Sequence, residues 1–161
     1  TNGFTHWLIT KRKPLFGGAS PHVTSFWLMH MVEETEHKTV AFDVYMAYSG
    51  KYLPRVLGVF HGTLHLWGWG LVGMVTCLKK DRVLWRPRTL WNIVKEVGSA
   101  IWNVGPFILR ALLPGYDPRQ ENDPQWYADW ITGHATLEKD QPLPLIDTED
   151  PNMPVPFAKV A

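Results

Sequence analysis

The longest stretch of the chain without a helix breaker runs from Pro21 to Tyr48, and it constrains the fold more than any other feature. Ser20 and Pro21 are typical of a helix start, because serine can cap free backbone N–H groups and proline lacks the N–H that a first turn leaves unpaired. Gly50 is typical of the residue just beyond a helix end. These signals predict one helix of about 28 residues, about 42 Å long.

Three more helices are predicted, and no segment has the alternating pattern of a strand. They cover residues 54–80, 87–113 and, after a loop, the short amphipathic segment 125–138. Pro106 is expected to kink or split the helix over residues 87–113. The fold class is therefore predicted to be all-α.

The predicted helix over residues 54–80 carries no formal charge between residues 57 and 78. That length could cross a bilayer. Its glycines and two histidines favour a buried core helix instead, with an interfacial or transmembrane position as the alternative. The Gly58-x-x-x-Gly62 spacing would let another helix approach closely in either setting.

The composition narrows the class of protein. The formal net charge is +1, so no overall positive field points to nucleic acid. Nine tryptophans indicate a large aromatic surface that the chain, a partner or a membrane must cover. The one cysteine, Cys77, excludes an internal disulfide and is expected to be a small core residue. We expect a cytoplasmic protein, with membrane association as an alternative.

The chain is predicted to consist of a helical metal-site domain, residues 1–139, and a proline-rich tail, residues 140–161. The tail is expected to be extended, and either disordered or wrapped on a partner. The chain opens with neither an initiator methionine nor a signal peptide. We therefore expect the native protein to have further N-terminal residues.

The run HMVEETEHK places imidazoles and carboxylates in the middle of the first long predicted helix. At about 100° per residue, four of its side chains share one face about 100° wide: His30, Glu33, Glu34 and His37. The same face is expected to be apolar and buried on both sides of this cluster, at Val23, Phe26, Val40, Ala41 and Val44. A buried carboxylate without a partner is costly, and a metal ion would supply the missing positive charge.

Glu34 and His37 have the Glu-x-x-His spacing, which aims one carboxylate and one imidazole at the same centre in di-metal helical bundles. His30 lies about one turn earlier and is a third candidate metal ligand. Glu33 is a candidate catalytic residue that would bridge the metals or hold a ligand through a hydrogen bond. Tyr45 could reach the edge of the site and is a second candidate catalytic residue.

His61 and His65 are further candidate metal ligands, because residues four apart on a helix face the same way. Mixed histidine and carboxylate ligation suits iron, manganese or zinc rather than calcium. In the alternative interpretation the acids form a solvated patch, paired with Lys38, Lys51 or Arg55. The two histidines are then core residues that bond to backbone carbonyls.

The pattern W-x-x-H-x-x-E-E-x-E-H-K-x-V-A-F-D-V-Y, residues 27–45, resembles the signature of the bacterial family of predicted metal-dependent hydrolases. In the PGYDP segment, where that family often has His-Pro, this chain has Asp117. The resemblance implies a ferritin-like helical bundle around a di-metal site, of which this chain would be the C-terminal portion. It also implies longer members, whose additional N-terminal helices would supply the first Glu and the first Glu-x-x-His.

For the function we favour a non-haem di-iron oxidase or oxygenase that acts on an apolar, lipid-like small molecule, because Glu-x-x-His bundles hold two irons. A zinc hydrolase of an ester or amide is the first alternative, and manganese also fits the ligands. A non-enzymatic subunit, membrane-associated or complex-bound, and a metal store or carrier are the others. The missing N-terminal helices or a second copy in a homodimer would complete the site.

Overall fold

The computed structural model describes residues 2–158, and within them the protein is all-α. Thr1 and residues 159–161, the end of the predicted tail, lie outside the described residues. The helices are α1 (Asn2–Thr10), α2 (Arg12–Phe16), α3 (Pro21–Glu36), α4 (Val40–Tyr48), α5 (Tyr52–Lys80), α6 (Pro87–Ala111) and α7 (Gln125–Ala135), with 3₁₀ turns at His37–Thr39 and Pro118–Gln120. By their contacts the residues form two compact units, 1–40 with 119–161, and 41–118.

The core of the first unit lies where α1, α3, α7 and the tail meet. α3 buries one face through Thr24, Leu28, Met31, Val32 and Thr35. These positions recur at three- and four-residue intervals, as an amphipathic helix requires. Leu8 and Ile9 of α1, Trp130 of α7 and Val155 of the tail complete the apolar cluster. No helix was predicted for the first 20 residues. In the structure, α1 packs against α3.

The tail packs against the first unit, which corrects the expectation that it is disordered or wrapped on a partner. It is extended as predicted, without regular structure over residues 141–147. Ile146 and Met153 are fully buried, and the Ile146 N–H donates to the Ser25 hydroxyl at 2.8 Å. Arg12 donates to the Met153 carbonyl at 2.6 Å. The division into a metal-site domain, residues 1–139, and a tail, residues 140–161, stays a prediction.

The long helix predicted from Pro21 to Tyr48 is interrupted. α3 ends at Glu36, a 3₁₀ turn covers His37–Thr39, and α4 continues from Val40. The tightened turn contains Lys38, whose ammonium group bonds the Glu121 carbonyl at 2.9 Å and the Asp123 carboxylate at 2.6 Å. The end of the run agrees with the prediction, because Gly50 has a φ of 61°, a left-handed conformation that favours glycine.

The second unit contains the two longest helices, α5 and α6, which contact each other. α6 continues through Pro106 as one helix, so the predicted split does not occur. Gly58 and Gly62 face open space in the described part of the chain, and Cys77 is exposed rather than in the core as expected. Among the described residues, no helix combines the length and the apolar character that crossing a membrane requires.

Arg55 ties the start of α5 to the end of α6. Its guanidinium group donates to the backbone carbonyls of Ala111 and Leu113, and the Tyr52 hydroxyl donates to the Leu112 carbonyl at 2.8 Å. The last carbonyls of a helix have no partner within it and carry partial negative charge, so a cation is favourable there. Arg55 therefore has a structural role in the second unit.

Candidate metal centre

Two of the predicted ligands, His30 and Glu34, lie on α3 and point away from its core face. The buried residues of α3 are centred about 140° around the helix from His30, so packing of the core turns His30 and Glu34 outward. The expectation of a buried apolar stripe around them is wrong for the described chain. Val23, Phe26, Val40 and Val44 are each more than half exposed, and Ala41 is exposed as well.

His30 lies between two carboxylates. Its Nδ1 is 3.7 Å from Glu33 Oε2, and its Nε2 is 3.7 Å from Glu34 Oε1. The i, i+3 and i, i+4 spacings place these groups side by side on one helix face. The exposed fractions of the His30 and Glu34 side chains are 43% and 29%, respectively. Trp27 adds an aromatic edge, with its ring centroid 5.9 Å from that of His30.

His37 lies in the 3₁₀ turn that follows α3, and it is exposed. Over residues 2–158, no three or more His, Cys, Asp or Glu side chains converge closely enough to hold a metal ion. α3 therefore presents only part of a ligand set. Within it, His30 Nε2 and Glu34 Oε1 lie on the side of the imidazole ring away from Glu33.

The donor chemistry of this pair fits a transition metal. Two ligand atoms about 2.1 Å from a tetrahedral zinc ion lie about 3.4 Å apart, close to the 3.7 Å between His30 Nε2 and Glu34 Oε1. A histidine that binds a metal usually has its other ring nitrogen next to a carboxylate, and Glu33 lies beside Nδ1. These types of side chain suit a metal ion, but two ligands do not complete its coordination, so others are needed.

The remaining predicted site residues lie in the second unit. His61 and His65 stack in α5, with ring centroids 5.9 Å apart and an angle of 29° between the rings. Both are exposed. The Tyr45 hydroxyl of α4 donates to the Lys51 carbonyl across the turn between α4 and α5. Metal ligation by the two histidines and a catalytic role for Tyr45 stay predictions.

The sequence did not predict which residues lie near Lys38 and Glu36. Lys38 pairs with Asp123, 85 residues away, so no local pattern could have indicated the contact. Tyr127 of α7 has its pKa raised by partial burial and by the negative charges of Glu36 and Asp123. In the non-metal alternative, Lys38 pairs with the acidic residues of the motif. In the structure it pairs with Asp123 instead.

Residues 1–122 match the model of a protein family described as predicted metal-dependent hydrolase. The chain belongs to this family. The match covers α1 to α6, including the α3 motif, and ends before α7 and the tail. No curated protein matches the chain. No solved structure matches it either.

Membership of the predicted metal-dependent hydrolases implies a metal cofactor and a hydrolytic enzyme. It confirms the family suggested by residues 27–45, and the helical structure agrees with the predicted fold class. The preference for an oxidase or oxygenase over a hydrolase is not supported, because the family description agrees better with the hydrolase alternative.

Proposed function

We propose that the protein is a metal-dependent hydrolase that cleaves an ester or amide bond in an apolar substrate. The observation that carries the proposal is the position of His30, with Glu34 on one side of its ring and Glu33 on the other. The family match supports a hydrolytic reaction. Exposed Trp27 and Phe26 next to this cluster would contact an apolar substrate.

Each residue of the cluster has its own role in this proposal. His30 and Glu34 would hold the ion through Nε2 and Oε1. His37, the third predicted ligand, lies in the following turn and would have to approach this pair to bind the same ion. Glu33 would orient the His30 ring through Nδ1 and raise its basicity, as carboxylates next to metal-binding histidines do.

Zinc is the metal we propose, because histidine and carboxylate ligands with an open position are typical of hydrolytic zinc sites. A bound zinc ion would polarise the scissile carbonyl and acidify a water molecule toward neutral pH. The protein's contribution is to fix the imidazole and the carboxylates on a rigid helix. Their partial exposure leaves room for substrate on the open side.

A di-iron oxidase or oxygenase is the second candidate, favoured by the Glu34-x-x-His37 spacing. It requires a second Glu-x-x-His, and Glu34–His37 is the only one in the sequence. A second copy of the chain or additional helices would have to supply the other. Oxygen-dependent absorbance changes in iron-loaded protein would favour this candidate over the hydrolase.

The test compares Glu34→Ala with Glu36→Ala, a matched control on the other side of α3. Hydrolysis of p-nitrophenyl esters of different acyl lengths and of the matching anilides would be measured with zinc-loaded protein. We expect Glu34→Ala to lower kcat/KM by at least about 100-fold, equivalent to about 2.7 kcal/mol, and Glu36→Ala to change it by less than about threefold. Equal activity of the two variants would contradict the proposal.

A further inference from the structure

α6 exposes a continuous apolar face. At about 100° per residue, its exposed apolar residues fall within about 120° of one another along the whole helix: Leu90, Trp91, Val94, Ile101, Trp102 and Leu109. The two tryptophans are 68% and 82% exposed. Gly98 and Gly105 lie in the same stripe, and a side chain at either would meet open space.

A second face of α6 contacts the rest of the unit. Ala100 and Val104 are buried, and they lie on the side of the helix next to the exposed stripe. The apolar stripe is thus not simply the core face of α6. The stripe is exposed although α5 and α6 contact each other, and a contiguous exposed apolar face of this kind is typical of an interaction surface.

The end of the α5–α6 hairpin is strongly cationic. Residues 79–110 contain seven lysines and arginines against two acidic residues. Five of the cations lie at the turn and the adjoining helix ends, and all five are exposed: Lys79, Lys80, Arg82, Arg86 and Arg88. Trp85, in the middle of that turn, is 80% exposed.

We propose that α6 lies in the surface of an anionic phospholipid bilayer, with its apolar stripe in the acyl boundary and the cationic turn against the headgroups. Amphipathic helices with tryptophan and leucine on one face and basic residues on the other are typical of this position. Tryptophan favours the bilayer interface, where its ring is buried and its N–H stays hydrated. The helix lies on the membrane, in agreement with the finding that no described helix could span one.

Charge favours a bilayer over a second copy of the chain. In a parallel pairing of two α6 stripes the two cationic turns would repel each other. An antiparallel pairing would separate the turns but give neither an anionic partner, since residues 79–110 contain only two acidic residues. An anionic surface neutralises the same residues, and each lysine or arginine near it contributes a roughly fivefold gain in binding. The occupant that suits both the stripe and the turn is therefore anionic lipid.

The first experiment is co-sedimentation of the full chain with vesicles of phosphatidylcholine alone or of phosphatidylcholine with phosphatidylglycerol. We expect binding to the anionic vesicles, a blue shift of tryptophan fluorescence, and binding that weakens as salt screens the charges. Absence of binding to anionic vesicles, or equal binding to both kinds, would overturn the proposal.

Variants locate the binding surface. Lys79→Glu with Lys80→Glu should weaken binding by about 25-fold or more, whereas Lys13→Glu with Lys139→Glu, the same change in net charge on the first unit, should weaken it much less. Trp91→Ser with Trp102→Ser should weaken binding at least about tenfold, and Phe26→Ser on α3 should not. Circular dichroism checks that the helices persist, as expected for exposed positions.

Sedimentation velocity distinguishes lipid from a second copy. A stable dimer that Trp91→Ser with Trp102→Ser dissociates, without vesicle binding by the parent chain, would assign the stripe to a homodimer and overturn the membrane proposal. The result is independent of hydrolysis, because neither the Trp nor the Lys variants alter α3.

Discussion

At the scale of single residues, the proposed metal centre depends on an imidazole placed between two carboxylates. His30 lies 3.7 Å from both Glu33 and Glu34, on different ring nitrogens. One carboxylate can then share a metal with the ring while the other holds the ring in place. The sequence predicted that these residues share a helix face, because the spacing alone determines it. The sequence could not show which carboxylate lies beside which ring nitrogen of His30.

Glu33→Gln tests this division of roles. Loss of the charge beside Nδ1 should lower the basicity of His30 and weaken zinc binding by about 10- to 100-fold. Competition with a fluorescent zinc chelator measures the affinity. Glu36→Gln removes the same charge one turn farther along α3, six residues from His30, and should leave the affinity within about twofold. Equal affinities for all three proteins would show that Glu33 does not support a metal ligand.

Tyr127 provides a test of how α7 is placed beside the motif. Partial burial raises its pKa, and the charges of Glu36 and Asp123 raise it further. A raised pKa means that the folded protein favours the neutral phenol. This contribution to stability is complete below the ordinary tyrosine pKa, near 10, and is lost as the pH rises through the raised pKa.

We therefore expect ultraviolet titration to show a tyrosine step above the ordinary tyrosine pKa. Tyr127→Phe should remove that step, and Glu36→Gln should move it to lower pH. Tyr48→Phe, at a position 90% exposed, is the matched control and should leave the step in place. A step that persists in Tyr127→Phe would contradict the placement of α7.

At the scale of elements, the long helices could be predicted and their burial could not. Pro21, Pro87 and Gly50 mark element ends in the structure as their backbone chemistry predicts. The sequence predicted the wrong buried face for α3. This helix has apolar residues on two faces, and periodicity does not say which of them packs against the core. The contacts of α1, α7 and the tail decide it.

Gly133 of α7 tests the packing of the tail at this scale. A Cβ at this position would lie 2.4 Å from the Phe157 ring. Gly133→Ala should therefore destabilise the fold by about 1–3 kcal/mol, although alanine normally favours a helix. Gly98→Ala meets open space in α6 and should stabilise by about 0.5–1 kcal/mol. Urea denaturation measures both, and a stabilised Gly133→Ala would show that the tail does not pack on α7.

At the scale of the whole molecule, many large apolar side chains are exposed. α4 and α5 contain no buried residue, and α3 presents its candidate ligands on an exposed apolar face. Nine tryptophans predicted a large aromatic surface. The segment uncharged over residues 57–78 was expected to be a buried core helix, and that expectation is wrong, because α5 contains no buried residue. What covers the exposed side chains could not be predicted, because lipid, a second copy and additional helices all favour the same apolar residues.

The family and the reaction class were predicted to different degrees. The motif over residues 27–45 was specific enough to indicate the family, which the match over residues 1–122 establishes. Spacing alone favoured an oxidase, because Glu-x-x-His says how ligands are arranged and not which metal or reaction they serve. The metal therefore decides between the two enzyme classes.

The most direct test of the account is the metal content of the protein, purified without chelator and measured by elemental analysis. We expect zinc bound in proportion to the chain, and its loss in Glu34→Ala but not in Glu36→Ala. Iron at one or two per chain would instead support the di-iron candidate. Protein that binds no metal, or Glu34→Ala protein that retains its full content, would contradict the claim that this face of α3 is a metal centre.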